Sequence, residues 1–311
     1  MKVKTFIIKT IVFVALFIVA DQLCGMGFKL LNKTAGDKFA REEFMRHEMK
    51  ADVVLLGSSR CTHHYMPSIL QDSLGMTVYN CGQRGNGIIY EYGRLQTIYA
   101  RYIPKIVIVD FIQGYDLEVN DNNRYLDFLK VDYGTNDAVD SIFKVCDPLS
   151  PMKMYLQSYR YNSTLCDLLL NTVLRNRGRF SKDGFMALEG EIESVEPKRS
   201  AVKPLEMDSI KVEYIRKMAS EHKRGCRLIF VLSPCYSYPH PEFVSTIERI
   251  ARENGVEFMD YSVDKRFLGN GKLYSDGAHL NVKGAEVFTK ILAEDLKSAC
   301  HIESGSSGHV H

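Results

Sequence analysis

Apolar positions along this chain gather in short continuous runs separated by mixed or polar stretches. Residues 51–57 (ADVVLLG), 77–80 (TVYN), 105–112 (KIVIVDFI), 227–232 (RLIFVL) and 256–260 have strand length. The first of these is a largely apolar run closed by Gly, the texture of a strand buried on both sides of a parallel sheet. Helical spacing fills the intervals at 66–74, 88–102, 242–254 and 282–299. Strand and helix alternating at this spacing predict right-handed βαβ crossovers and an α/β fold. The alternation breaks over 115–226. Amphipathic pieces such as 151–174 and a polar stretch at 175–204 predict a largely helical insertion there, over the carboxyl ends of the strands, where α/β sheets place their sites.

The first fifty residues have a different pattern. Lys2 and Lys4 precede an apolar run at 6–20 (FIIKTIVFVALFIVA), interrupted at Lys9 and Thr10 and ended by Asp21 and Gln22. Basic residues ahead of the run favour an amino terminus left in the cytoplasm, with the rest of the chain exported. The run is shorter than a comfortable span of about 20 residues. A retained signal anchor and a cleaved signal peptide over 1–22 are therefore both open. Residues 38–50 are charged with sparse apolar positions and predict a juxtamembrane helix or stalk within 23–50. The domain proper is expected at 51–300, and the small, polar residues 301–311 predict a disordered tail.

Composition narrows the chemistry. The chain has 311 residues, 45% of them hydrophobic, enough for a large buried core. Its 40 Lys and Arg against 38 Asp and Glu leave a net charge of +2, which argues against a nucleic-acid partner. The 8 cysteines include no pair at CxxC spacing, so no structural metal is expected, and no motif asks for a cofactor. Cys226 and Cys235 flank a strand and stand too far apart to bridge. Cys61 and Cys81 each follow a site strand, and an oxidising compartment leaves a bridge between them open.

Two segments carry candidate chemistry. The first strand delivers the chain into Gly57-Ser58-Ser59-Arg60, placing a hydroxyl just past its carboxyl end. Far downstream, Ser275-Asp276-Gly277-Ala278-His279-Leu280-Asn281 sets a carboxylate three residues before an imidazole. At that spacing Asp276 can hold the Nδ1 hydrogen of His279 while Nε2 takes a proton from a serine, help that a serine hydroxyl needs to act as a nucleophile. Asp276 as a simple helix N-cap is the competing reading.

These blocks resemble the SGNH/GDSL hydrolase superfamily over about 51–113 and 227–298. The resemblance implies a three-layer flavodoxin-like parallel sheet, a nucleophilic Ser59 with Ser58 where the family usually has Asp, and a catalytic pair formed by Asp276 and His279. Asn80 and Gly85 match the second block, so the Gly85 N–H joins that of Ser59 in the oxyanion hole, with Gly82 a weaker candidate. The third block departs from the family: 112–116 (IQGYD) holds no Asn, and Gln113 is the side chain left to replace it. The form Gly-Ser-Ser-Arg after an amino-terminal anchor is similar to exported, membrane-tethered branches that handle acyl groups on surface polymers. The implied function is an exported serine esterase or O-acyltransferase. Its substrate would be an acyl ester, of acetyl type, on a saccharide or envelope polymer, and the membrane itself would be a partner through the amino-terminal helix. An envelope protein partner stays open, and a catalytically silent module that binds a glycan is the alternative. Arg60, His64 and Asn80 are candidates for contact with substrate, His63 lies near enough to join them, and Tyr155, Tyr159 and Tyr161 are candidates for a sugar-stacking surface.

Overall fold

The computed structural model describes residues 2–34, 38–120, 126–162, 164–174, 180–199 and 203–306. In chain order, α1 (Lys2–Thr34) and α2 (Lys38–His47) precede β1 (Val53–Gly57), α3 (Ser59–His64), α4 (Pro67–Leu74), β2 (Val78–Asn80), α5 (Ile88–Tyr99), β3 (Ile106–Asp110) and α6 (Gln113–Asp116). A 3₁₀ turn at Asp127–Asp132 then leads to α7 (Asp137–Cys146), α8 (Ser150–Lys153), α9 (Gln157–Tyr161) and α10 (Leu165–Leu174). The chain closes with α11 (Ser209–Ser220), β4 (Arg227–Leu232), α12 (Pro241–Glu253), β5 (Glu257–Asp260) and α13 (Val282–Ser306). Two compact units divide it, 1–48 with 126–178 and 49–125 with 179–311.

The larger unit is the sheet domain. All strand pairs are parallel and the order is β2-β1-β3-β4-β5, that of flavodoxin-like sheets. The uniformly apolar runs explain the central strands: Val53, Val54, Leu55 and Leu56 of β1 and Val107, Ile108 and Val109 of β3 are all fully buried. Each such side chain removed from water is worth about 1.5–3 kcal/mol. Helices α3, α4 and α13 pack together on one side, and Phe288, Leu292 and Leu296 of α13 join the β1, β3 and β4 side chains in one core. Helices α5, α11 and α12 make the opposite layer. Helix α11 lies inside the segment expected as insertion, so the insertion is shorter than 115–226. Helix α13 extends to Ser306, past the expected end near 299, and residues 307–311 lie outside the described ones.

The smaller unit joins both chain segments that break the α/β pattern. Helix α1 is far longer than its apolar run, and among the described residues it is the one helix long and apolar enough to cross a membrane. Its later turns pack on α2, α9 and α10. Helix α2 is no free stalk: Phe39 packs edge-on against Phe128, and Arg46 pairs with Asp132 at 2.8 Å. The three tyrosines do not make one stacking face. Tyr161 is buried against Phe28, Tyr159 lies under Lys130 and Lys153, and Tyr155 is exposed.

Candidate active site

Strand β1 ends at the topological switch of the sheet, between β2 and β3, where a crevice forms outside the carboxyl ends. Gly57 makes the turn there. Its φ of 149° is one that L side chains avoid, and a Cβ would lie 2.7 Å from the Cys61 Cβ and 2.8 Å from the Asp110 carbonyl. The chain therefore passes from strand to helix within two residues, and Ser59 becomes the first residue of α3. Its N–H has no intrahelical acceptor and points out of the amino end of the helix, where partial positive charge collects.

The downstream block meets this serine. His279 Nε2 lies 2.8 Å from Ser59 Oγ, and His279 Nδ1 lies 2.9 and 3.0 Å from the two Asp276 carboxylate oxygens. A carboxylate only accepts, so Nδ1 carries the hydrogen and Nε2 faces the serine hydroxyl as a base. Asp276 also accepts the N–H groups of Ala278 and His279 at 2.8 and 2.9 Å. Partial burial works against its charge, but the hydrogen bonds from His279 and from these amides hold its carboxyl below the usual range. The N-cap alternative falls to Asn281, whose Oδ1 accepts the Gly284 N–H at 3.0 Å just ahead of α13.

Three of the residues expected near substrate have structural duties instead. Arg60 is buried, with its guanidinium donating to Ser233 Oγ and to the carbonyls of Ser233 and Pro234. Burial opposes its charge, and the neighbouring Cys235 and Asp110 hold it on. Asn80 is buried with Nδ2 donating to the carbonyls of Cys61 and Tyr65 at 2.7 and 3.1 Å. His64 is buried as well, and its ring has a defined tautomer. The Leu280 N–H donates to Nε2 at 3.0 Å, so the hydrogen sits on Nδ1, which donates to Ser233 Oγ at 3.1 Å. The Ser233 hydroxyl in turn donates to Asp110 Oδ2 at 3.0 Å. Burial, with Arg60 next, drives His64 well below the ordinary histidine range, so the ring is neutral.

His63 does stand beside the dyad. Its ring meets that of His279 edge-on at 5.3 Å, its Nδ1 donates to the Met186 carbonyl at 2.8 Å, and burial pushes its pKa down to about 4. The oxyanion candidates separate. Gly82 spends its N–H on Asn80 Oδ1 at 2.9 Å. Gly85 has a φ of 79°, and its N–H has no acceptor among the described residues. Its loop is tied to the turn that carries Ser59 by Gln83 N–H donating to the Gly57 carbonyl at 2.9 Å. Gln113 does not serve as the missing amide. Its Nε2 donates to Glu118 and its Oε1 accepts the His240 N–H at 3.0 Å, so the side chain bridges α6 to the start of α12. The one-residue offset from the expected Asn puts Gln113 at the first position of α6, facing that bridge. Cys61 and Cys81 are not bridged, and their thiols have separate partners, Asn80 and Met49.

One segment beside the site leaves no mark in the side-chain pattern. Residues 180–199 form an extended strap rather than helix. The strap pairs through Asp183 with Asn80, through Met186 with Thr62, through Leu188 with Val282, and through Glu193 with the hydroxyl of Tyr236. Gly184, at a φ of 89°, sits where a Cβ would be 2.1 Å from the Asn80 carbonyl. The strap thus passes from the end of β2 across α3 to the start of α13, and supplies the carbonyl that orients His63. Farther along, a cavity of about 580 Å³ is lined by Arg199, Tyr238, His240 and Glu242, with no triad member among its lining residues. No group of three His, Cys, Asp or Glu among the described residues is placed to hold a metal.

No family model matches this chain, and no curated protein does. Among solved structures it is similar to a family two carbohydrate esterase from Clostridium thermocellum in complex with cellohexaose, at a TM-score of 0.40 and 11% identity over 80% of this chain and 64% of the other. A gut microbial diltiazem-metabolizing enzyme matches at a TM-score of 0.38 and 13% identity, over 78% of this chain and 46% of that one. The chain spans less than two thirds of the length of either. Likeness at this level carries no functional weight, so the reading of the site rests on its own geometry.

Proposed function

We propose that this protein is a serine esterase or O-acyltransferase of SGNH type, tethered to a membrane by α1 with its sheet domain exported. Its substrate is an acyl ester, of acetyl type, on a saccharide or other envelope polymer. The observation that carries the reading is the line Asp276, His279, Ser59, with hydrogen bonds of 2.9 Å and 2.8 Å joining its members in the order a serine nucleophile requires. In the reaction His279 Nε2 takes the Ser59 proton as Oγ attacks the ester carbonyl carbon. The Ser59 and Gly85 N–H groups hold the oxyanion that forms. Collapse of this intermediate breaks the ester C–O bond, and His279 returns the proton to the departing alcohol. The acyl-serine then passes its acyl group to water or to a sugar hydroxyl, activated by the same histidine.

With Gln113 engaged elsewhere, two backbone donors serve the oxyanion. Loss of one donor typically costs about 10²–10³ in rate, which favours a slow enzyme and is the one observation on the side of a silent, glycan-binding module. A fluorophosphonate probe separates the two: it is expected to label Ser59 in the wild type and to fail with Ser59→Ala and with His279→Ala. Each variant should keep its fold and lose turnover of a generic acetyl ester, the double variant being little worse than either single one because triad members act as a unit. Undiminished turnover by Ser59→Ala would end the serine-enzyme reading.

A further inference from the structure

We infer that the 149–155 segment of the smaller unit is a second membrane contact, seated in the lipid headgroup layer beside α1. The inference rests on the reading of α1 as a membrane span. Counted from Val3 at about 1.5 Å per residue, roughly 20 residues cross a hydrocarbon layer about 30 Å thick. That places its outer edge near Gln22 and Leu23. The headgroup zone beyond adds about 5–7 Å, or roughly three to five residues of helix.

Over this interval α1 has two faces. Leu23 and Met26 are exposed and apolar, continuing the lipid-facing surface of the span. The opposite face holds the chain at 155–158. Asp21 is buried and accepts the N–H groups of Gln157 and Ser158 at 2.6 and 2.9 Å, and Gln22 donates to the Tyr155 carbonyl at 3.3 Å. Gly25 lies so close that a Cβ would fall 2.4 Å from Gln157 Cγ. A carboxylate at the hydrocarbon edge is costly unless its oxygens are satisfied, and the two amides satisfy it. Tyr155 is thereby fixed at the depth where the bilayer meets water.

The side chains around that point suit the layer. Leu149, Met152 and Tyr155 are 58%, 68% and 78% exposed, large apolar groups offered outward within seven residues of chain. Within 147–155 the only two charged side chains, Lys153 and Asp147, pair with one another at 2.6 Å. Tyrosine is the side chain that interfaces favour, with its ring in the acyl boundary and its hydroxyl among the headgroups. The occupant of this surface is therefore the bilayer that α1 spans.

The chain contains no tryptophan, so a single introduced one reports its own surroundings. The full chain carrying Tyr155→Trp, and separately Phe13→Trp, is reconstituted into phosphatidylcholine vesicles containing lipids brominated either near the glycerol or deep in the chain. Phe13→Trp should be quenched at least twofold by the deep label. Tyr155→Trp should be quenched at least twofold by the shallow label, emit to the blue of free tryptophan, and resist aqueous acrylamide. Quenching of Phe13→Trp alone, with Tyr155→Trp open to acrylamide, would overturn the second contact and leave the anchor standing. Protection of Tyr155→Trp from both quenchers would mean a protein covers it and would overturn the inference equally. If neither tryptophan feels either lipid label, the anchor reading itself falls.

Discussion

Gln113 stands one position away from where the resemblance wants an amide, and that displacement decides its role. At the first position of α6 its side chain reaches Glu118 and the His240 N–H, so it contributes to structure and not to the transition state. Gln113→Ala is expected to leave kcat within about twofold and to lower stability by about 1 kcal/mol, the usual loss for such hydrogen bonds. Steady-state kinetics and thermal unfolding of the variant test both. A hundredfold fall in kcat at unchanged KM would restore Gln113 to the oxyanion hole. Asp276 teaches the converse lesson: its three-residue spacing from His279 was legible because triad geometry and a short turn need the same spacing. Arg60, His64 and Asn80 were misplaced because nothing in a sequence tells a polar side chain aimed at substrate from one buried beneath it.

At the scale of elements, the buried chain from His64 through Ser233 to Asp110 joins four of them. His64 ends α3, Ser233 follows β4, Asp110 ends β3, and the Leu280 N–H belongs to the turn that carries His279. His64 thus holds the turn that carries His279 against the sheet through the neighbouring Leu280 N–H, which on the proposed function makes it a positioning residue. His64→Leu leaves the Leu280 N–H without its acceptor and removes one of the two donors to Ser233 Oγ, and is expected to lower kcat roughly 10–10² with little change in KM, as small misplacements do. His64→Gln keeps an acceptor and a donor at the right ends and should recover most of the loss. Equal loss in both variants, or a change confined to KM, would contradict the positioning role. The strands and flanking helices that frame this network were legible from their uniform apolar runs and helical spacing. The strap at 180–199 was not, because its backbone pairs one residue at a time with scattered partners and so leaves no period in its side chains. Helix α1 outran its apolar run because its later turns are held by packing on α2, α9 and α10, which hydropathy does not register.

At the scale of the whole molecule, the sheet domain buries titratable groups whose responses to acid oppose one another. His63 and His64 are held neutral, His63 down to about 4 by burial. As pH falls through 6.5, the ordinary histidine value, the unfolded chain takes up protons at these positions while the folded one does not, and stability is lost until His63 protonates in the fold as well. Asp116 goes the other way. Burial pushes its carboxyl up to about 7, so between about 7 and 4 the folded chain holds a proton there that the unfolded chain releases, and burial with Asp116 beside it raises Glu91 in the same direction. Acidification over that window strengthens the fold at the carboxyls and weakens it at the histidines, so the wild type should show a shallow pH dependence. Removing one side exposes the other. Gln at position 63 can still donate to the Met186 carbonyl but does not titrate, so His63→Gln should gain stability relative to wild type as pH drops from 7 to 4.5, by on the order of 1–3 kcal/mol. Thermal scans of the two proteins at a series of pH values read this as a difference in melting temperature that widens toward acid by several degrees. A constant difference across the series would show that His63 takes up its proton alike in the folded and unfolded chain, so that burial does not hold the ring beside His279 neutral.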